Sequence, residues 1–305
     1  MNGPDVSLVV LSWNTKDLTL ACLAALRAET PRYSREVIVI DNGSHDGSAD
    51  AVAEVPDVRL IRNADNRGYA GGNNQGAELA EGRLVCLLNS DTEVRPGAID
   101  HLVEFLDGHP EYGAVAPKLL NVDGTIQTAC MRFPGLLVAL CYDSIWGKFW
   151  PGKWVDDRYY MRDFDHEHSR DVDQPPGACF MMRRREYLDM GGLDAKLYLF
   201  FNDVDLCRRL WKGDRRIRYL AAAEVVHHGG ASTQKFHGFV ITWFRNRIAY
   251  YRKHYGPLAV PYLHLILRMR ALEEWFKAGS RCADPEARRA ERAEIRRYVR
   301  EILAP

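Results

Sequence analysis

The feature that most constrains this chain is a hydrophobic period that switches back and forth between strand and helix along its first third. "VSLVVLSW" (6–13) reads as a fully buried strand, and "KDLTLACLAALRA" (16–28) spaces its apolar residues as an amphipathic helix. "EVIVIDN" (36–42) is the next strand, a short helix follows Gly47, and "VRLIRN" (58–63) is a third strand. The Gly- and Asn-rich segment 64–82 opens as a loop and closes as a helix, and "RLVCLLNSD" (83–91) is a strand running into polar residues. "PGAIDHLVEFLDG" (96–108) then carries Pro at a helix start and Gly near its end. Such alternation predicts an α/β fold, a mostly parallel sheet covered by helices on both faces. Ligands of these sheets bind beyond the carboxyl ends of the strands, which makes Asn14, Asp41, Asn63 and residues 89–91 candidates.

From about 121 the pattern breaks. "NVDGTIQ" carries the Asp-Gly signal of a hairpin, and residues 130–176 are rich in Trp, Tyr, Pro and charge without steady periodicity, as in a functional loop or lid. "ACFMMRR" (178–184) returns to a strand, followed by a short helix to Gly191-Gly192 and the strand end "EVVHHGGAS" (224–232). Residues 239–255 form a helix stopped by Gly256-Pro257, and 284–303 form a mixed-charge helix.

Composition matters mainly by exclusion. Lys plus Arg and Asp plus Glu both number 41, and a net charge of zero argues against a nucleic-acid binder. The seven cysteines are scattered, without metal-ligand or redox spacing, as in a reducing cytoplasm. "MNGPDVSLVVLSWN" has an acid where a signal peptide has basic residues, and the longest later apolar run, 257–267, is short and interrupted by Pro261.

Several stretches carry chemistry. In "LVCLLNSDTEV" the side chains of Asn89 and Asp91 fall on one side under strand alternation, and such an oxygen pair can hold a hard divalent cation that also takes diphosphate oxygens; an Asx-turn leaving a strand is the plain alternative. Asp41 ends its strand before a Gly43–Gly47 turn, where a carboxylate can accept from a pyrimidine imide or a ribose hydroxyl. "NRGYAGGNNQG" offers close backbone approach at Gly68, Gly71, Gly72 and Gly76 and amides at Asn66, Asn73 and Asn74, without matching a dinucleotide fingerprint or a P-loop. His227 and His228 end a strand before two glycines, as metal or phosphate contacts do. In "FFNDVDLCRRL" Asp203 sits at the edge of an apolar wall, where partial desolvation suits a general base. Asp205 reads as a helix cap or a brace for Arg208 or Arg209, and is kept with Trp146 and Trp150 as a candidate acceptor contact.

Taken in order, "VVLSWN", "VIVIDNGSHDGS", "NRGYAGGNNQG", "CLLNSDTEV", "PGACFMMRR", "LFFNDVDLCRR" and "VVHHGGAS" closely resemble glycosyltransferase family 2, inverting enzymes of the Rossmann-like GT-A fold, and within it the bacterial rhamnosyltransferase-type members. The resemblance spans roughly residues 5–255. It implies a nucleotide-sugar-binding half at 1–120, an acceptor-binding and catalytic half at 121–234, and a basic helical C-terminal extension at 235–305. By resemblance Asp41 faces the base and Asn66, Gly68 and Asn73 line the nucleotide side. Asn89 and Asp91 occupy the family's Asp-x-Asp position, whose last acid binds Mg²⁺ or Mn²⁺ on the donor diphosphate. His227 completes those contacts, and Asp203 is the base. Two positions depart from the pattern: Asn89 replaces the first acid of the metal motif and Asn202 the acid before the base.

The implied reaction moves a sugar, L-rhamnose from dTDP-L-rhamnose, to a saccharide or polyprenyl-diphosphate-linked acceptor in cell-surface polysaccharide synthesis. Trp146, Trp150, Trp154, Tyr159 and Tyr160 either close over acceptor sugar or fill a core under a long loop. Residues 235–277 hold eight Lys/Arg against two Glu. For 239–255 that reads as intramolecular packing. For 257–277 it reads as contact with the inner face of the plasma membrane or as a homo-oligomer contact. The competing classes are a nucleotidyltransferase, for which "SWNTKD" offers only Lys16 near the first strand, and a non-catalytic carbohydrate-binding or scaffold protein, suggested by the two asparagines.

Overall fold

In the computed structural model, residues 3–142, 144–149, 151–230, 238–281 and 284–304 are described. The chain divides into two units, residues 1–133 with 164–237, and residues 134–163 with 238–305.

The first unit is built on one sheet. Its parallel core is β1 (Val6–Ser12), β2 (Arg35–Asp41), β3 (Val58–Arg62) and β4 (Leu84–Asn89), joined through α1 (Lys16–Ala28), α2 (Ser48–Ala53) and α3 (Gly68–Leu79). β5 (Thr92–Val94), α4 (Ala98–Gly108), β6 (Tyr112–Leu120), β7 (Arg170–Asp171), β8 (Cys179–Arg183) with α7 (Arg184–Asp189) after it, and β9 (Arg216–His227) complete it, in the strand order β3-β2-β1-β4-β8-β6-β9-β5, with β7 on β9. β8 runs antiparallel between β4 and β6, while β9 is parallel to β6. The near-continuous apolar runs of β1 and β4 are what burial on both faces requires: Val6, Leu8, Val9 and Val10, with Leu84, Cys86 and Leu88, lie fully inside. Leu102, Val103 and Leu106 of α4 close the same core.

β6 has no counterpart in the sequence reading, and it carries Pro117 in "YGAVAPKLL", a residue type rare inside a sheet. The proline is accommodated by position. Pairing with β8 ends at Val115, and the register with β9 slips between Pro117 and Lys118, so the missing N–H falls where the ladder is already interrupted. The expected Asp-Gly turn is present at residues 121–125, where Gly124 N–H donates to Asn121 O and Asn121 N–H to Thr125 O.

The second unit is helical: α5 (Leu136–Cys141), a 3-10 turn (Ile145–Lys148), α6 (Gly152–Tyr159), α9 (Phe239–Tyr255), α10 (Ala259–Arg281) and α11 (Pro285–Leu303). Residues 134–163, read from sequence with the acceptor half, pack with these C-terminal helices. α9 holds them: Arg247 is buried, donates to Ala139 O (2.8 Å) and lies over the rings of Tyr142, Trp243 and Tyr251, while Tyr251 and Tyr255 donate to Gly135 O and Pro134 O. No described helix is long and apolar enough to cross a membrane.

Candidate active site

The chain leaves β1 toward β2 and β3 on one side and returns with β4 on the other, so the carboxyl ends of β1 and β4 diverge into a crevice. A cavity of about 250 Å³ opens there, with Leu11, Trp13 and Tyr69 as apolar walls and Asn66, Asn89, Asp91 and His227 among its polar groups.

One end is a cradle of amides. Asn42 Nδ2 donates to Asn66 Oδ1 (2.9 Å) and Gly68 O (3.1 Å), and Asn66 Oδ1 also accepts Gly68 N–H (2.8 Å). Gly68 has φ +74 and a Cβ there would meet the Tyr198 carbonyl and ring at about 2.5 Å, so only glycine fits. Asp41 is buried; Oδ1 accepts the Ser44 N–H (3.0 Å), whereas Oδ2 has no protein hydrogen bond. Such an oxygen is a ready acceptor for a ligand N–H or hydroxyl. Asn73 is buried, its Nδ2 donates to Tyr69 O and its Oδ1 is unpartnered. Neither Asp41 nor Asn73 is among the residues that line the cavity, and Asn14 lies elsewhere. It lines a shallow groove with Lys16 and Asp46, and its Oδ1 accepts the His45 N–H (2.8 Å), so it ties down the 43–46 turn and takes no part in lining the cavity.

At the other end the expected strand alternation does not operate, since β4 stops at Asn89 and Thr92 Oγ1 donates back to Asn89 O across a turn. β5 then pairs antiparallel with β9, Thr92 opposite His227, and His228 N–H donates to Asp91 O (2.9 Å). This brings His227 Nε2 to 3.5 Å from Asp91 Oδ1. Gln127, which sequence reading treated only as part of a hairpin, decides what that nitrogen carries. Its Nε2 donates to Asn121 Oδ1 (3.1 Å) and His227 O (3.4 Å), so its Oε1 is the acceptor facing His227 Nδ1 at 2.8 Å. The Nδ1 position therefore bears the proton in the neutral ring, and Nε2 presents a lone pair toward a carboxylate. A lone pair and a carboxylate facing each other suit a divalent cation, with a carbonyl oxygen fixing the histidine from behind. Among the described residues no third acid, histidine or cysteine joins them. His228 instead pairs with Glu93 (2.8 Å).

α8 (Asn202–Lys212) carries the acids of "FFNDVDLCRRL". It begins after Phe201, a non-glycine residue at φ 65, and within its first turn Asp203 Oδ1 accepts the Val204 N–H (2.8 Å). Asp203 is largely buried, and that burial raises its pKa above the ordinary carboxylate range, against the opposing pull of the Val204 and Gly177 amides. It lines a small void beside the main cavity. Tyr69 belongs to both: its hydroxyl donates to Gly177 O (2.6 Å), and burial together with the Asp203 charge pushes its own pKa up.

Asp205 is corrected from acceptor candidate to structural residue. It is fully buried and its Oδ2 pairs with Arg209 Nε at 2.9 Å, while Arg209 also donates to Met190 O, so no substrate reaches it. Trp146 belongs to the helical unit, where it is 55% exposed, and Trp150 lies outside the described residues.

Asn202 is explained by its amide. Nδ2 donates to Leu197 O (2.9 Å) and Oδ1 accepts Asp203 N–H (2.8 Å), a pair of bonds an ionised acid cannot reproduce. Asn202→Asp is expected to cost about 1–3 kcal/mol of stability, through the lost donor to a buried carbonyl. It also places a second negative charge beside Asp203, which raises the pKa of Asp203 further and moves the acid limb of activity to higher pH. Urea unfolding and a pH–rate profile read the two effects separately, and an unmoved profile would remove Asn202 from the base's surroundings.

Comparison with known proteins fits this geometry. The fold is of the GT-A type: a mannosyltransferase from Pyrobaculum calidifontis, solved with GDP-Man and Mn²⁺, aligns over 98% of this chain and 86% of its own with a TM-score of 0.58 at 17% identity. The model of glycosyl transferase family 2 matches residues 7–134. An N-acetylglucosaminyl-diphospho-decaprenol L-rhamnosyltransferase of Mycobacterium tuberculosis is 32% identical over 224 residues, covering 69% of this chain and 72% of that one. The O-antigen biosynthesis protein RfbC of Myxococcus xanthus is 30% identical over 275 residues, 88% of this chain and 21% of that one. The chain belongs to glycosyl transferase family 2, and its activity is that of a glycosyltransferase. The nucleotidyltransferase and scaffold readings are thereby set aside.

Proposed function

We propose that the chain moves L-rhamnose from dTDP-L-rhamnose, with inversion, onto a saccharide or polyprenyl-diphosphate-linked acceptor in cell-surface polysaccharide synthesis, working at the cytoplasmic face of a membrane. The observation that carries this reading is the Asp91–His227 pair at one end of a cavity whose other end is an amide cradle. The name of the mycobacterial relative supplies the sugar and the lipid-linked acceptor.

In this reading the unpartnered Asp41 oxygen accepts from the base or ribose, and the backbone at Gly68 lets the nucleotide lie close. Asp91 and His227 would hold Mg²⁺ or Mn²⁺, whose charge offsets that on the departing diphosphate. Asp203 takes the proton of an acceptor hydroxyl as that oxygen bonds to the anomeric carbon, and the diphosphate leaves from the opposite face with the electrons of the broken bond. Tyr69 walls both the cavity and the void of Asp203, and contacts of a general base commonly tighten only once the acceptor is bound.

A thermal-shift series with dTDP-rhamnose, UDP-sugars and GDP-sugars, each with Mn²⁺, Mg²⁺ or EDTA, tests the donor. A ligand at one hundred times its Kd stabilises the fold by about 2.7 kcal/mol, and dTDP-rhamnose with metal is expected to give the largest shift. A larger shift from a UDP- or GDP-sugar overturns the assignment of rhamnose. In the same assay Gln127→Leu is expected to lower the metal affinity read from that stabilisation about 10–100-fold, because the His227 ring loses the acceptor that fixes its tautomer. Unchanged metal affinity would mean that the histidine is not a ligand.

A further inference from the structure

Among the described residues every large hydrophobic side chain that is exposed, Val122 apart, belongs to the helical unit. They are concentrated. α10 is apolar on two sides: Leu263, Ile266 and Leu267 fill its inner side, while Leu265, Met269, Leu272 and Phe276 recur at helical spacing on the outer one, with Leu272 55% and Phe276 63% exposed. A surface helix of a globular protein ordinarily turns a polar face outward. Ile145 and Trp146 continue the outer side, since they line a groove of about 250 Å³ together with Met269, Leu272 and Phe276, and Ile145 N–H donates to Glu273 Oε2 (3.2 Å).

Cations predominate among the charges around this face, and the acid that lines the groove, Glu273, is neutralised by Lys277. Residues 145–154, "IWGKFWPGKW", alternate aromatic residues with Lys148 and Lys153 and contain no acid. Trp146, Phe149 and Trp154 are exposed, as are both lysines. Residues 258–272 contain Arg268 and Arg270 and no acid, and the first acids beyond them, Glu273 and Glu274, are ion-paired with Lys277 (2.7 and 2.8 Å).

We infer that this face of the helical unit, made by residues 145–149 and 151–154 and the outer side of α10, rests on an anionic lipid surface. Trp146, Phe149, Leu272 and Phe276 enter the headgroup boundary, and Lys148, Lys153 and Arg268 meet lipid phosphates. Tryptophan beside lysine on an apolar face is the composition of an interfacial segment, with the ring at headgroup level and each nearby cation adding attraction to anionic lipid. A second copy of the chain is the poorer occupant, because a two-fold contact would set these cations against themselves. The inference rests on the membrane-surface part of the proposed function and names the face that makes the contact. It adds 145–149 and 151–154 to the contact expected for 257–277.

The test is co-sedimentation of the full chain with phosphatidylcholine vesicles, with and without phosphatidylglycerol and free of any saccharide acceptor. Binding is expected only to the anionic vesicles, weakening with salt, with a blue shift of tryptophan emission. The pairs Leu272→Gln with Phe276→Gln and Lys148→Glu with Lys153→Glu are each expected to lower partitioning at least about tenfold, with unchanged melting temperatures. Should a pair fail to fold, the salt dependence and emission shift of the unaltered chain decide the matter. No sedimentation of the unaltered chain, variants that sediment equally well, or a dimer that these changes dissociate without any lipid binding would each overturn the inference. Transfer is read in a separate assay with donor and acceptor, so vesicle binding by a chain that transfers no sugar there counts against the proposed reaction alone, and transfer there without vesicle binding counts against this face alone.

Discussion

Asp203→Asn is expected to lower sugar transfer by about 10²–10⁴-fold while leaving the chain folded and able to bind its donor. The substitution is nearly isosteric, and an amide oxygen can still accept the Val204 N–H that Oδ1 accepts now, so the first turn of α8 keeps that bond. What disappears is the ability to take a proton. Burial holds the Asp203 pKa above the ordinary carboxylate range, and only the ionised form is a base. Transfer by the unaltered chain is therefore expected to rise with pH through that raised pKa, while the variant stays low and flat across the same interval. The linkage has the opposite sign for stability: a carboxylate whose folded pKa is raised favours folding at low pH, and that contribution is lost as pH rises through the folded value. The same group thus makes the protein more active and slightly less stable over one pH window. Initial rates and thermal melts across pH measure both, and near-normal turnover of Asp203→Asn would show that the base lies elsewhere.

The parts of this molecule legible in its sequence are those set by local periodicity. α1 at Lys16–Ala28 and α9 at Phe239–Tyr255 coincide with the spans read from apolar spacing, and Asp41 and Asn89 stand at strand ends as expected. The parts that were not legible depend on partners far along the chain. β5 is three residues long and exists because β9 is there to pair with it. β6 carries a proline, a residue type rare inside a sheet, and its place there depends on the register slip beside β9. Gln127 has no local signal for its role, which comes from the return of β9 to the end of β6 and the loop beyond it. Asp205 was ambiguous for a different reason: an acid in a first turn can cap, pair or bind, and only complete burial against Arg209 decides. Trp146 and Trp154 likewise read equally well as a cover over acceptor sugar or as core, and only their exposure within the helical unit argues against the core.

Asp91→Ala should separate donor capture from proton transfer. The backbone of Asp91 accepts the His228 N–H, so the β5–β9 pairing that shapes this end of the cavity does not depend on the carboxylate. With Asn89 already in place of an acid, the variant leaves no anion among residues 89–91. His227 then has no carboxylate opposite its Nε2, and one neutral imidazole is a poor site for a hard cation. A liganding carboxylate should matter at least as much as the groups behind a ligand, whose loss costs about 10–100-fold in metal affinity. Donor stabilisation is therefore expected to fall to the level seen with EDTA, and added Mn²⁺ or Mg²⁺ should no longer raise it. Offsetting charge on a departing diphosphate is worth several kcal/mol, so transfer should fall on the order of 10³-fold. The contrast with Asp203→Asn is the informative result. That variant retains metal-dependent donor binding and loses its acid limb, whereas Asp91→Ala loses the metal dependence and keeps the Asp203 pH profile in whatever activity remains. Unchanged metal dependence in Asp91→Ala would remove this carboxylate from the site and leave the facing His227 lone pair without a function.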